Sequence, residues 1–222
     1  MQPVVVFLHG LGRTHRSLDG LRKRVEQAGH ETWAETYPSR TMSIADLAEL
    51  EAARIREALP ERELIAVTHS LGGILVRHMR DMLPWKGAVM LAPPNRGSRV
   101  AQRLGQESRI IRTIMGPTIL ELGDPEGWPP PPEPFAVIAG TAGATIGNPP
   151  SWIIGAKKIY PPDMPHDGTV AVEETKLEGM ADFATVEASH TWMMNHPETQ
   201  RLVLDFLREG RFCEAPAAAE GE

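Results

Sequence analysis

One cysteine stands among 222 residues, Cys213 near the C-terminus, so no disulfide can close within the chain and redox conditions do not decide the fold. With neither a histidine nor a strand-to-helix turn beside it, Cys213 reads as inert. Long apolar runs are also missing. None approaches the length of a membrane span. The early run Val4 to Leu8 has no basic stretch before it and no small-residue cleavage pattern after it, so it reads as a first strand and not a signal peptide. A cytoplasmic protein without stable membrane insertion is the expectation. Net charge is −6 with Lys and Arg scattered, which argues against nucleic acid or an anionic membrane as partner. No acidic cluster stands out to hold calcium, no metal or other cofactor is implied, and no internal repeat is visible.

What is present suits one α/β domain. A chain of this size buries roughly 70% of the surface its unfolded form exposes, enough for a buried sheet and a defined site. We expect a single domain over residues 1–212, a cap or loop segment around 98–134, and a flexible tail over 213–222. Short β-rich runs alternate with helical spacing. Strands are expected at Val4 to Leu8, Glu31 to Tyr37, Leu64 to Thr68, Gly87 to Ala92, Phe135 to Ala139 and Phe183 to Glu187. Helices are expected at Ser17 to Ala28, from the Ser43 N-cap to about Leu59, at Gly72 to Met82 and at Pro197 to Glu209. That order implies a mostly parallel sheet of about six strands with helices on both faces. Two segments break the rhythm. Ser98 to Pro134 holds short helical pieces and then GDPEGWPPPPEP, which suits either a roof over a site or a stiff solvated spacer. Thr141 to Asp167 is rich in Gly and Pro.

The most informative stretch is ELIAVTHSLGGILVRHM. A strand ends at Thr68, a helix begins at Gly72, and Ser70 sits between them. The pattern G-x-S-x-G puts a serine hydroxyl on a tight strand-to-helix turn and aims the next backbone N–H at a substrate oxygen, at a helix N-terminus that favours negative charge. Gly72 fills the second glycine position; Thr68 replaces the first. Upstream, His9-Gly10-Leu11-Gly12 follows the first strand, and its glycines let the backbone turn N–H groups inward toward an oxyanion. Leu11 and Leu71 are the expected donors. His9 is assigned to shaping this loop. His69 is assigned a structural role, pointing under the sheet edge.

A base and an acid should follow the serine in the chain. His78 lies in the helix after Ser70 and points away; His166 is a further candidate. His190 follows the last strand at the edge where Ser70 sits and is the expected base, with His196 as fallback. Asp167, in HDGTV, is the expected acid, with Asp163 as alternative; Asp182 starts the last strand at the wrong end.

HGLGRT, VTHSLGG, APPNRGS, HDGTV and the final SH together resemble the α/β-hydrolase superfamily, close to bacterial lipases and carboxylesterases. Those lipases carry a loop similar to Pro94-Asn95-Arg96-Gly97-Ser98. The resemblance runs from Val4 to about Phe212. It implies Ser70, Asp167 and His190 as a catalytic triad with Leu11 and Leu71 as oxyanion donors. The chain departs from that pattern at Thr68, in its short length, and in lacking a recognisable calcium site, so a carboxylesterase fits better than a lipase acting on emulsified fat. The expected substrate is a small-molecule or lipid-like ester in an apolar pocket, with Ile114, Met115, Leu120, Leu122, Trp128, Trp152 and Met193 as lining candidates. A thioesterase or acyltransferase on the same triad is the first alternative. A ligand-binding protein that has lost catalysis is the second. Oligomeric state is not legible.

Overall fold

The computed structural model describes residues 2–143, 159–161 and 163–213. Trp152, most of the Gly- and Pro-rich segment and all of the tail beyond Cys213 lie outside the described residues. The strands are β1 Val4–Leu8, β2 Thr32–Ala34, β3 Leu64–His69, β4 Trp85–Leu91, β5 Phe135–Gly140 and β6 Asp182–Val186. They form one parallel sheet in the order β2-β1-β3-β4-β5-β6. The helices are α1 Asp19–Gln27, α2 Ile44–Ala58, α3 Leu71–His78, α4 Arg99–Glu107, α5 Arg109–Met115, α6 Thr118–Glu121, α7 Val172–Thr175 and α8 Pro197–Glu209. Six parallel strands with helices on both faces agree with the architecture read from the sequence.

Alternation along the strands builds the two layers. Val4, Val6 and Leu8 of β1 join Ala66, Met90 and Val137 in a core covered by α2 and α3. Val5 and Phe7 join Val67, Val89 and Ile138 on the opposite face, under α1 and α8. Chain order reverses between β1 and β3, the point where open α/β sheets hold ligands outside their carboxyl ends. The segments after β1 and β3 are His9-Gly10-Leu11 and Ser70.

Several element bounds differ from the sequence expectation. β2 is shorter, because Tyr37 leaves the sheet to stack on His9, ring centroids 3.8 Å apart and 10° from coplanar. The helix expected from Ser17 is a 3₁₀ turn over His15–Leu18 followed by α1. α3 begins at Leu71, directly after Ser70, and ends at His78 and not Met82. β4 starts two residues early at Trp85, β6 one residue early at Asp182.

The Pro run is not a solvated spacer. Arg77, buried in α3, donates from Nε to the Pro129 carbonyl at 2.6 Å and from its terminal nitrogens to the carbonyls of Trp128 and Asn95. Trp128 stacks over the same guanidinium at 5.4 Å, and Pro131 and Pro132 are buried. Burial pulls the Arg77 pKa down to about 10.

Candidate active site

Ser70 sits at φ 53° and ψ −118°, a conformation that costs a non-glycine residue of order 1–3 kcal/mol and persists only where its surroundings enforce it. Here the Ser70 N–H is held by the Leu91 carbonyl of β4 at 2.9 Å, and the Ser70 carbonyl accepts from Gly73 N–H at 2.9 Å. The turn drives α3 hard against β1: a Cβ on Gly72 would overlap the Leu8 carbonyl. This explains why Thr68 is tolerated where a glycine was expected. Its side chain is buried facing Gly73, where an added Cβ would lie 3.4 Å from Thr68 Oγ1 and 2.9 Å from Met90 Cε. The second glycine of Leu71-Gly72-Gly73 supplies on the helix the room that the strand does not.

The loop after β1 approaches Ser70 just as closely. A Cβ on Gly10 would stand 2.9 Å from His69 Nδ1 and 3.3 Å from Ser70 Cβ. His9 shapes this loop as expected: its Nδ1–H donates to the Gly10 carbonyl at 2.9 Å, and its Nε2 accepts from Tyr37 N–H at 3.2 Å. The Tyr37 hydroxyl donates to the His9 carbonyl. Both ring nitrogens are thus committed in the neutral form, and burial holds the His9 pKa down to about 4. Gly12, at φ +69°, donates its N–H to Ser39 Oγ. Among the described residues no acceptor engages the backbone N–H of Leu11 or Leu71.

Asp167 is fully buried, its Oδ1 accepting from the N–H groups of Thr169 (2.9 Å) and Val170 (2.7 Å). Its Oδ2 accepts from His190 Nδ1 at 2.6 Å, and its carbonyl accepts from the His190 N–H at 2.8 Å. The histidine is therefore fixed at backbone and ring by one residue, and its Nε2 has no hydrogen-bond partner among the described residues. Gly140 permits this approach, since a Cβ there would stand 2.7 Å from Asp167 Cβ. Asp163 and His196 do not take part in this pairing. His196 caps α8, its Nδ1 accepting from Glu198 N–H at 3.3 Å.

Ser70 and His190 share the wall of a cavity of about 540 Å³. Of the lining candidates, Ile114, Met115 and Leu122 stand in this wall, with Leu11, Val100, Ala101 and Leu104 of α4, Ile111 of α5 and Ile119 of α6. Three other candidates lie elsewhere. Trp128 covers Arg77, Leu120 is exposed, and Met193 is buried in the core under α1 and α8, because a 3₁₀ turn returns the chain to that face directly after His190. His69 corrects a further expectation. It lines the cavity, and its Nε2–H donates to the His190 carbonyl at 3.0 Å. β3 runs through His69, so its ring falls on the same face as Val67, where the β6–α8 loop passes. Burial, reinforced by His190 and Arg13, keeps its pKa well below the ordinary histidine value. Arg13, not singled out within HGLGRT, also lines the cavity and donates to the Thr191 carbonyl at 3.1 Å.

A family model described as the alpha/beta hydrolase family matches residues 5–214. The chain belongs to this family. Among solved structures, this alpha/beta hydrolase is similar to the mature form of lipase BlEst2 from Bacillus licheniformis, with a TM-score of 0.74 at 16% identity over 93% of this chain and 92% of that one. Against the propeptide form of that lipase it spans only 52% of the other chain. Phospholipase PlaB from Legionella pneumophila superimposes with a TM-score of 0.67 at 18% identity, over 93% of this chain and 59% of the phospholipase. The metagenomic carboxyl esterase MGS0156 gives 0.63 at 19%, over 85% and 64%. At such identities the likeness is one of fold. A comparison with curated proteins finds no match. Among the described residues no group of acidic, histidine or cysteine side chains could hold a metal ion, and no helix is long and apolar enough to cross a membrane.

Proposed function

We propose that this alpha/beta hydrolase cleaves carboxylic esters of apolar acyl chains, with Ser70 as nucleophile, His190 as base and Asp167 as its partner. The observation that carries the reading is the 2.6 Å bond from His190 Nδ1 to a buried Asp167, with His190 and the strained Ser70 in one cavity wall. His190 Nε2 takes the Ser70 proton as Oγ attacks the ester carbonyl, and Asp167 stabilises the imidazolium that forms. The free N–H groups of Leu11 and Leu71 receive the negative charge on the former carbonyl oxygen; one such donor is worth about 3–4 kcal/mol. The tetrahedral adduct collapses, and the alcohol leaves with the proton from His190. Water, deprotonated by the same histidine, then attacks the acyl-enzyme and frees the acid and Ser70. The apolar walls supplied by α4, α5 and α6 suit the acyl chain, which gives residues 98–134 the part of a cap.

A fluorophosphonate probe should label Ser70 stoichiometrically, and p-nitrophenyl esters should be turned over. Ser70→Ala should abolish labelling and lower kcat by about 10⁶-fold. Labelling of another residue, or no turnover at any chain length, would overturn the reading. Turnover of an acyl thioester in preference to the matched ester, or transfer to an added alcohol in place of water, would reassign it to a thioesterase or acyltransferase.

A further inference from the structure

Among its described residues the cavity wall is mostly apolar, and it holds one permanent cation, Arg13. The guanidinium carries five N–H donors. One nitrogen donates to the Thr191 carbonyl, and no carboxylate among the described residues pairs with it. The half-buried guanidinium therefore has N–H donors to spare for a ligand in the cavity. Its position identifies which half of the ligand would take them. Arg13 is tied to the residue that follows His190, and His190 is the group that hands a proton to the departing alcohol. The apolar walls of α4, α5 and α6 take the acyl chain. The cation therefore stands on the alcohol side.

Resting on the esterase reading above, we infer that Arg13 forms an anion-binding subsite for the leaving alcohol, so that the preferred substrate joins an apolar acyl chain to an alcohol bearing a phosphate or carboxylate. The planar fork of a guanidinium matches either group with two parallel hydrogen bonds, and a charge-assisted bond of this kind is stronger than a neutral one.

The test compares p-nitrophenyl octanoate with the same ester carrying a ring carboxylate, and octanoyl glycerol with octanoyl glycerol phosphate. Wild type should favour the anionic member of each pair. Arg13→Met should raise KM for the anionic esters about 10- to 100-fold more than for their neutral counterparts. Arg13→Lys should recover part of the loss. Preference in only one pair identifies carboxylate or phosphate as the anion read. Equal losses on neutral and anionic esters would show that Arg13 merely holds the His190 loop, and no preference in wild type would equally sink the inference. Binding separates this from catalysis. Ser70→Ala protein should bind octyl phosphate about 10- to 100-fold more tightly than octanol, and the added Arg13→Met change should erase that difference. If wild type cleaves no ester yet this binding difference stands, the esterase reading fails and the anion site survives. Equal binding of the two probes removes the site whatever the activity.

Discussion

At the scale of single residues, the site is held by groups that do no chemistry. His9 illustrates how. Its ring is neutral because both nitrogens are engaged and burial excludes the charged form, with a pKa near 4 against an ordinary 6.5. In the unfolded chain the ring takes up a proton as pH falls through 6.5, while in the folded chain it does not until about 4. Stability that is fully present above 6.5 is therefore lost as pH falls through that window, by about 3 kcal/mol once both states are protonated. His69, also pushed down by burial, acts in the same direction. Glu51 and Glu174, raised by burial, act in the opposite one. The contribution of His9 is thus isolated by difference: His9→Asn should flatten the dependence of urea-unfolding free energy on pH between 4 and 6.5. Parallel curves for the two proteins would show that His9 carries no such coupling. The supporting role of His9 was legible because a histidine directly before a glycine loop has little freedom to do anything else. The position of His69 was not. Assigning it required knowing that the distant His190 loop passes on the odd-numbered face of β3, and strand alternation alone does not supply a partner 121 residues away.

At the scale of elements, the strands and helices were legible because their periods are strong: β1 alternates between two cores, and the Ser43 cap opens α2 by accepting from Asp46 N–H. The lining of the cavity was only partly legible. Ile114 and Met115 are found in the wall, but Met193 and Trp128 are not, since an apolar residue in a loop declares burial without declaring which face it is buried against. The Pro run was the hardest to read. Its prolines suit a spacer by composition, and what decides otherwise is the buried Arg77 of α3, with three backbone carbonyls as acceptors. Those carbonyls have nowhere else to turn if the guanidinium is removed. Arg77→Ala should therefore lower stability by about 3 kcal/mol, read as a shift in urea midpoint. Arg77→Lys should restore little, because a single ammonium cannot span all three acceptors. An unchanged midpoint in Arg77→Ala would mean that the Pro run is held by its own packing.

At the scale of the whole molecule, one end of the sheet and the helices after β4 bound a cavity of about 540 Å³. Each methylene buried contributes about 0.8 kcal/mol, or close to fourfold. Across a series of p-nitrophenyl esters, kcat/KM should rise by up to about that factor per added methylene and then level off when the cavity is filled. Ala101→Trp, placing an indole in the wall contributed by α4, should move the plateau to shorter acyl chains while leaving acetate turnover largely intact. A flat profile in wild type would argue that the acyl group lies outside the cavity. The fold class and the chain order of the proposed serine, acid and histidine could be read from the chain because each is local or sequential. The cavity could not, because its walls come from the segments after β1, β3, β4, β5 and β6 together.

The ties that close the site join residues very far apart along the chain: Arg13 to Thr191 across 178 positions, and His69 to His190 across 121. Closing such long loops costs entropy before any contact repays it, so pairings of this kind tend to form late on the way to the native state. Catalytic competence should then be the last property to return after dilution from denaturant. Far-ultraviolet ellipticity should recover first and esterase turnover after it. Recovery of both with a single time constant would show instead that the two ends of the chain meet in the rate-limiting step itself.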